Sequence, residues 1–233
     1  MNLIALETSN SVASIALWTK GRVRCEHILD GPMTHSQTLL PMLQNCLEKT
    51  ALDWVDFDAI ACNVGPGSFT GLRIGVSTAN ALAFAQNLRR VAVDSLEALA
   101  YQVTPSCASL IIPMIDARSD RIYAAAYRQT HGGLETVLAP QASNITDWLA
   151  QLPQADSYLL LGDGAERHLG GYQEHFGAKA GVFVCPPHSL HHRAGALAYA
   201  AWKKAEQGAF VDSLLPLYLR PSQAEQERNG QIG

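Results

Sequence analysis

The segment Gly65-Pro66-Gly67-Ser68-Phe69-Thr70-Gly71-Leu72-Arg73 lies between an apolar run, residues 59–64, and a run rich in small residues, residues 74–85. This order predicts a strand, a glycine-rich loop and a helix. Three glycines in seven residues let the backbone turn tightly and approach another group closely.

Two interpretations of the loop stay open at this point. Ser68 or Thr70 can cap the first amides of the helix, and free amides at a helix start attract anions, to which Arg73 would add a fixed charge. Alternatively, the loop is only a tight connection between strand and helix. It is not a Walker A element, because no Lys-Ser or Lys-Thr pair follows the glycines, and its third glycine comes one residue late for GxGxxG.

Length and composition limit the class of protein. The 233 residues allow one large domain or two lobes, and 48% hydrophobic residues are enough for a packed core. The net charge of −4 argues against a main RNA-binding surface.

The cysteines and the N-terminus indicate a compartment. The five cysteines are scattered without a CxxC pair, which argues against a zinc ribbon or a dithiol redox site and suits a reducing compartment. The first residues lack a basic region and a long apolar core, and no apolar run is long enough to span a membrane. We expect a soluble cytoplasmic protein without a membrane partner.

Periodicity predicts an α/β chain built from two similar halves. The first half begins with three strands, at residues 3–8, 12–19 and 22–29, which we expect to form an antiparallel meander. Helices at 36–49, 72–86 and 95–102 then alternate with strands at 58–64 and 90–93. The second half opens alike, with strands at 110–115 and 121–128, a third short strand after 131–133, a helix at 144–151, a strand at 158–161 with a helix after it, and a long helix at 189–207. Thr104-Pro105-Ser106 predicts the boundary, giving an N-terminal lobe of residues 1–104 and a C-terminal lobe of 105–233, whose last helix can pack back on the first lobe.

Several polar residues are candidates for chemistry. Carboxylates at strand ends or turns, which can hold a magnesium nucleotide or simply cap turns, are Glu7, Asp94, Asp116 and Asp163. His188 and His192 would share a helix face and could bind a metal, although a solvated helix start is the favoured interpretation. Ser68 with His35 does not form the GxSxG elbow of serine hydrolases.

Six segments in order resemble the TsaB family, also called YeaZ. They are residues 3–9, 34–41, 65–73, 116–123, 162–165 and 216–220, and the resemblance that they mark extends over nearly the whole chain. The resemblance implies an ASKHA fold, with two actin/hexokinase-like lobes of mixed sheet flanked by helices. It also implies a non-catalytic subunit of the bacterial machinery that puts threonylcarbamoyl (t6A) on the tRNA adenosine next to the anticodon.

The resemblance further implies partners. They are a TsaD-like catalytic subunit, a TsaE-like ATPase, a second copy of the chain when it is alone, and tRNA reached indirectly through the complex. No cofactor or catalytic residue is expected. The catalytic relative carries two metal-binding histidines four residues apart, where this chain has Ser95 and Leu99, neither a credible replacement ligand. Glu7 stands where most relatives are expected to carry Asp.

In this family two helices of the N-terminal lobe pair with the same helices of a partner. Here these helices are residues 36–49 and 72–86, and the rival interpretation is that both are covered within the lobe. The residues expected at the interface or in the family motif are Gly65, Pro66, Gly67, Ser68, Phe69, Thr70, Gly71, Arg73, Ala79, Ala83, Leu39 and Leu43.

Two functions from other classes remain as alternatives. One is a free-standing ASKHA phosphotransferase acting on a small molecule, in which Glu7, Asp116 and Asp163 hold Mg-ATP. The weaker one is a metal-dependent peptidase, which the missing histidine pair disfavours.

Overall fold

The computed structural model describes residues 1–31, 34–103, 108–118, 120–177, 180–186 and 191–219. Its first half contains β1 (Leu3–Glu7), β2 (Ala13–Thr19), β3 (Arg22–Leu29), α1 (His35–Thr50), β4 (Ala59–Gly65), α2 (Phe69–Ala85), β5 (Arg89–Asp94) and α3 (Ser95–Tyr101), with a 3-10 turn at Trp54–Asp56. Its second half contains β6 (Leu110–Asp116), β7 (Arg121–Thr130), β8 (Gly133–Asn144), α4 (Ile145–Gln151), β9 (Ser157–Leu161), α5 (Asp163–Phe176), β10 (Gly181–Val184) and α6 (Ala194–Glu206).

The two halves repeat one topology. The first sheet has the order β3-β2-β1-β4-β5 and the second the order β8-β7-β6-β9-β10, so equivalent strands occupy equivalent places. In each sheet the first three strands in sequence form an antiparallel meander. The fourth strand pairs in parallel with the first, and the fifth pairs in parallel with the fourth. The predicted meander and the predicted duplication are both confirmed.

The central strands of the first sheet are buried on both faces. Ile4 and Leu6 of β1 pack into the core under α1 and α2, whereas the alternate residues Leu3 and Ala5 face the core under α6. Because successive side chains of a strand point to opposite faces, a strand covered on both sides must be apolar throughout. The continuous apolar runs at residues 3–6 and 59–62 follow from this.

The last helix of each half packs on the other half. α6 lies on the first sheet, where Leu197 and Ala201 join the core of β1, β2, β4 and β5. α3 lies against the second sheet, where Leu96 and Leu99 pack with Ile111. The two lobes therefore share helices at their junction.

Several sequence predictions need correction or lie outside the described residues. α6 begins at Ala194 and not at 189, because Ser14 Oγ and Glu26 Oε1 accept the amides of Ala194 and Gly195. The third strand of the second half, β8, has 12 residues and is not short, and the sequence interpretation missed β10. The predicted boundary at 104–106 and the candidate metal ligand His188 lie outside the described residues. Among the described helices, none has the length and apolar character needed to cross a membrane.

Candidate functional site

The glycine-rich loop connects β4 to α2 in contact with the turn that follows β1. Ser68 N donates to the Ser9 carbonyl oxygen at 2.6 Å, and Ser68 Oγ accepts from Gly71 N at 3.2 Å as the cap of α2. The predicted cap is thus confirmed at Ser68. Thr8 Oγ1 donates to the Gly71 carbonyl oxygen at 2.8 Å and joins the same turn to the helix.

The glycines of this loop are required by close packing within the chain. A Cβ atom at Gly67 would overlap the Ser9 carbonyl oxygen, and one at Gly71 would overlap the Thr8 carbonyl oxygen. Gly65 has a φ of 119°, a backbone conformation that favours glycine. The loop therefore brings two backbone segments together more closely than side chains would allow.

This packing favours the tight connection over the anion site. The amides of Ser68, Gly71 and Leu72 already donate to oxygens of the chain itself. The Arg73 guanidinium lies 4.5 Å from the centroid of the ring of Phe69, the first residue of α2, and is engaged there by a group of the chain itself. The described contacts thus give the predicted anion site no support.

Residues 212–219 return to the first lobe after α6 and cover the loop. Leu217 N donates to the Val64 carbonyl oxygen at 2.6 Å, and the Tyr218 ring stacks on Phe69 with centroids 4.9 Å apart. The Leu214 side chain is buried in the core under α2. Residues 216–219 carry most of the last family motif quoted above, whereas Arg220 lies outside the described residues.

A buried polar cluster lies where β1, β4 and α3 meet the segment before α6. Asn63 Nδ2 donates to Glu7 Oε2 at 2.5 Å, and Ser95 Oγ donates to Asn63 Oδ1 at 2.6 Å. Ser9 Oγ lies 3.3 Å from His192 Nδ1 and 3.2 Å from Asn63 Nδ2. All five side chains are at most 5% exposed.

Burial controls the protonation of the histidine in this buried polar cluster. It lowers the pKa of His192, even though the carboxylates of Glu7 and Asp163 act in the opposite direction. His192 Nδ1 lies 3.9 Å from Glu7 Oε2. The cluster is a set of side chains that satisfy one another, which is what a buried polar group needs in order not to destabilise the fold.

The four candidate carboxylates all accept backbone amides. Glu7 accepts Ser9 N, Asp94 accepts the amides of Leu96 and Glu97, Asp116 accepts Arg118 N, and Asp163 accepts Asp116 N. The capping interpretation is confirmed for Glu7, Asp94 and Asp116, whereas Asp163 instead accepts an amide 47 positions away in sequence, at the end of β6. Burial also raises the pKa of Asp94 to about 6.

The magnesium site required by the phosphotransferase alternative finds no support in these contacts. Glu7 is fully buried within the polar cluster, and Asp116 is held by the Arg167 guanidinium at 2.9 Å. Within the described ranges no three His, Cys, Asp or Glu side chains converge as a metal site would require.

Ser95 and Leu99 occupy the first turns of α3. Ser95 belongs to the buried polar cluster, and Leu99 is buried in the apolar core with Leu96 and Ile111. Ser95 is therefore a hydrogen-bond donor to another side chain, and Leu99 is a core residue.

The sequence interpretation missed most of this cluster. Asn63 was readable, because it is the one polar residue within the apolar run 59–64. His192 was expected at a solvated helix start, with metal binding as the alternative, and the first expectation is wrong because its side chain is 5% exposed. No sequence signal places residue 192 beside Ser9. The contact between His192 and Ser9 forms only because the segment before α6 packs against the first lobe.

The helices α1 and α2 lie side by side on one face of the first sheet. The expectation that Leu39, Leu43, Ala79 and Ala83 contact a partner directly is wrong, because all four are buried in the core beneath these helices. Helical spacing turned them toward the sheet. The residues that reach water on the same two helices include Leu40, Arg73, Ser77, Ala81 and Phe84.

Comparisons with known proteins point to one family. The family model for TsaD, tRNA N6-adenosine threonylcarbamoyltransferase, matches residues 32–185. The tRNA threonylcarbamoyladenosine biosynthesis protein TsaB of Bacillus subtilis is 33% identical over 226 residues, covering 97% of this chain and 96% of that protein.

Solved structures agree. YeaZ from Pseudomonas aeruginosa matches with a TM-score of 0.80 at 29% identity, over 94% of this chain and 99% of that one. A ROK hexokinase from Thermus thermophilus matches with a TM-score of 0.50 at 10% identity, over 89% of this chain and 100% of that one, a likeness of fold alone. The predicted ASKHA fold, with two related lobes of mixed sheet, is confirmed.

Proposed function

The chain belongs to the TsaB family, and from this membership we propose that it is a catalytically silent subunit of the machinery that places threonylcarbamoyl on tRNA adenosine. The relative in Bacillus subtilis is named for the biosynthesis of threonylcarbamoyladenosine in tRNA. In this proposal the chain binds a TsaD-like catalytic subunit and holds it in its active arrangement.

The contacts of Ser95 and Leu99 are the observation that most supports the absence of catalysis by this chain. Metal binding by two residues four apart on a helix needs side chains such as histidine that donate a lone pair. Here Ser95 is committed to Asn63, and Leu99 is 1% exposed in an apolar core. Neither position offers a ligand to a metal, and the transfer chemistry would then belong to the partner.

The outward face of α1 and α2 supports the proposal of a partner surface. Phe84 is 85% exposed and Leu40 is 51% exposed, so two large apolar side chains stand in water on neighbouring helices. Exposed apolar groups on one surface are typical of protein contacts. We define this face, with Leu40, Arg73, Ser77, Ala81 and Phe84, as the helix-pair surface.

The helix-pair surface would take the catalytic subunit, or a second copy of this chain when the catalytic subunit is absent. A symmetric homodimer uses the same patch on both chains, so it competes with the other partner. A TsaE-like ATPase would dock on the resulting complex. With a net charge of −4, the chain would meet tRNA through the complex rather than grip it alone.

The experiment is a reconstitution of threonylcarbamoyl incorporation into unmodified tRNA. The catalytic subunit and the ATPase are mixed with and without this chain, and each protein is also tested alone. We expect modification only when the chain is present, and none from the chain alone. Equal modification without the chain would refute the proposal, and steady ATP turnover by the isolated chain would favour the phosphotransferase.

A further inference from the structure

Two cysteines far apart in the sequence meet at the edge of the first sheet. Cys25 lies on β3 and Cys46 on α1, 21 positions later, and the Cys25 thiol donates to Cys46 Sγ at 3.1 Å. The missing CxxC pair argued against a dithiol redox site. The fold brings two thiols into contact without such a pair, because α1 packs over β3.

The two thiols differ in their access to solvent. β3 is an edge strand of its sheet, and Cys25 is partly exposed there. Cys46 is fully buried in the core under α1. A water-soluble oxidant would therefore reach Cys25 first, with Cys46 directly behind it.

We propose that Cys25 and Cys46 form an oxidisable dithiol that closes to an intrachain disulfide when the chain meets a peroxide. The Cys25 thiolate attacks one peroxide oxygen, the O–O bond breaks, and Cys25 becomes a sulfenic acid while hydroxide leaves. The Cys46 sulfur then attacks Cys25 Sγ, the S–O bond breaks, and water leaves with the Cys46 proton. In total two thiols are oxidised to one disulfide, and one peroxide is reduced to two water molecules.

The environment of Cys46 supports this order of events. Burial, together with the neighbouring Cys25, raises the pKa of Cys46 to about 12, so Cys46 stays a thiol and is a poor first nucleophile. The other described cysteines, Cys62 and Cys185, are buried and free, and within the described residues the thiol–thiol hydrogen bond is the one between Cys25 and Cys46. They serve as internal references for selectivity.

The disulfide would tie the edge strand β3 to α1. Cross-linking restricts the unfolded chain and so raises thermal stability. α1 also carries Leu40 of the helix-pair surface, although the proposal of a dithiol does not depend on that function.

Peptide mass spectrometry on the whole wild-type chain tests the proposal. Hydrogen peroxide is titrated into the native protein, free thiols are alkylated after denaturation, and trypsin is added. No Lys or Arg occurs between residues 25 and 48, so Cys25 and Cys46 fall in one tryptic peptide that contains no other cysteine. We expect this peptide to become two hydrogen atoms lighter and to resist alkylation, whereas Cys62 and Cys185 still react.

Controls make the result decisive. Dithiothreitol should restore alkylation of both thiols, and the oxidised wild type should melt at a higher temperature than the reduced one. Cys25→Ser should abolish the protection from alkylation and the rise in melting temperature that peroxide causes. Cys185→Ser should retain both changes. The proposal fails if the peptide stays fully alkylated at saturating peroxide, or if Cys25 collects oxygen atoms without forming the bond to Cys46. If Cys25→Ser does not fold, the wild-type peptide decides alone.

Discussion

Asn80 and Leu214 are joined by two reciprocal hydrogen bonds across 134 positions of sequence. Asn80 Nδ2 donates to the Leu214 carbonyl oxygen at 2.9 Å, and Leu214 N donates to Asn80 Oδ1 at 3.0 Å. The Asn80 side chain thus pairs with both backbone groups of Leu214, as a neighbouring strand would do in a sheet. These two hydrogen bonds hold residues 212–219 against α2, where this segment covers the glycine-rich loop.

Replacing Asn80 should therefore loosen the C-terminal segment. Asn80→Ala leaves the amide and the carbonyl of Leu214 without their partners, and the unfolding free energy should fall by about 1–3 kcal/mol. Urea unfolding measures this loss, and faster hydrogen exchange at the Leu214 amide would locate it. Asn80→Asp should not restore the wild-type stability, because a carboxylate oxygen would replace the donor and face the Leu214 carbonyl oxygen.

The matched control is Asn45→Ala on the exposed face of α1, which should change the unfolding free energy by no more than about 0.5 kcal/mol. Equal losses in the Asn80 and Asn45 variants would contradict the role given to Asn80.

Gly71 should tolerate no side chain. The Cβ atom of Gly71→Ala would overlap the Thr8 carbonyl oxygen, and a backbone oxygen cannot move aside as the end of a flexible side chain can. We expect a loss of about 1–3 kcal/mol, the usual range for overpacking. Thermal and urea unfolding of the isolated chain measure it without any partner.

Gly170→Ala in α5 is the control for this substitution. No atom lies within 4 Å of a Cβ built there, so the better helix propensity of Ala should leave stability unchanged or raise it by up to about 1 kcal/mol. If both variants behave alike, close packing does not explain the glycine at position 71.

The buried carboxylate of Asp94 should make stability depend on pH. Burial raises its pKa from 3.8 to about 6, so between these values the folded chain binds a proton that the unfolded chain has released. Stability should accordingly fall as the pH rises from about 4 to about 6, by at most about 1.4 kcal/mol per pH unit from this group.

Asp94→Asn isolates this contribution, because an amide oxygen still caps α3 but does not titrate in this range. The difference in unfolding free energy between wild type and variant should change over this interval and be constant above it. A constant difference from pH 4 to pH 8 would show that the carboxyl is not perturbed.

The elements of this fold were largely readable from local sequence, whereas the contacts between distant segments were not. The strands at residues 3–8 and 22–29 and the cap at Ser68 follow from apolar periodicity and turn chemistry, which act over a few residues. The start of α6 at Ala194 depends on Ser14 and Glu26, which approach only after the whole chain has folded.

The same limit applies to the site. The sequence pattern located α1 and α2 but could not tell whether Leu39 of the first helix and Ala79 of the second met a sheet or a partner. His192 enters the polar cluster, and Cys46 meets Cys25, through packing that no local pattern records. Glu7 and Ser95 were noticed for metal chemistry, yet the structure pairs both with Asn63.

Phe84 offers the sharpest test of the helix-pair surface. Its side chain is 85% exposed at the end of α2, so Phe84→Ala removes little that stabilises the isolated chain. If the aromatic ring is an anchor for the catalytic subunit, its loss should weaken binding at least tenfold, as aromatic anchors at interface centres commonly do. Titration calorimetry with the catalytic subunit measures the affinity, and a melting curve confirms that the fold is intact.

The matched control is Val55→Ala in the 3-10 turn Trp54–Asp56, since Val55 is 90% exposed and lies outside α1 and α2. Its affinity for the catalytic subunit should equal that of the wild type, and Leu40→Ala on α1 should show an intermediate loss. Full affinity in both the Phe84 and Leu40 variants would move the contact to another surface of the chain. An equal loss in all three would instead indicate a general effect of surface hydrophobicity, because only a defined interface distinguishes Val55 from the other two positions.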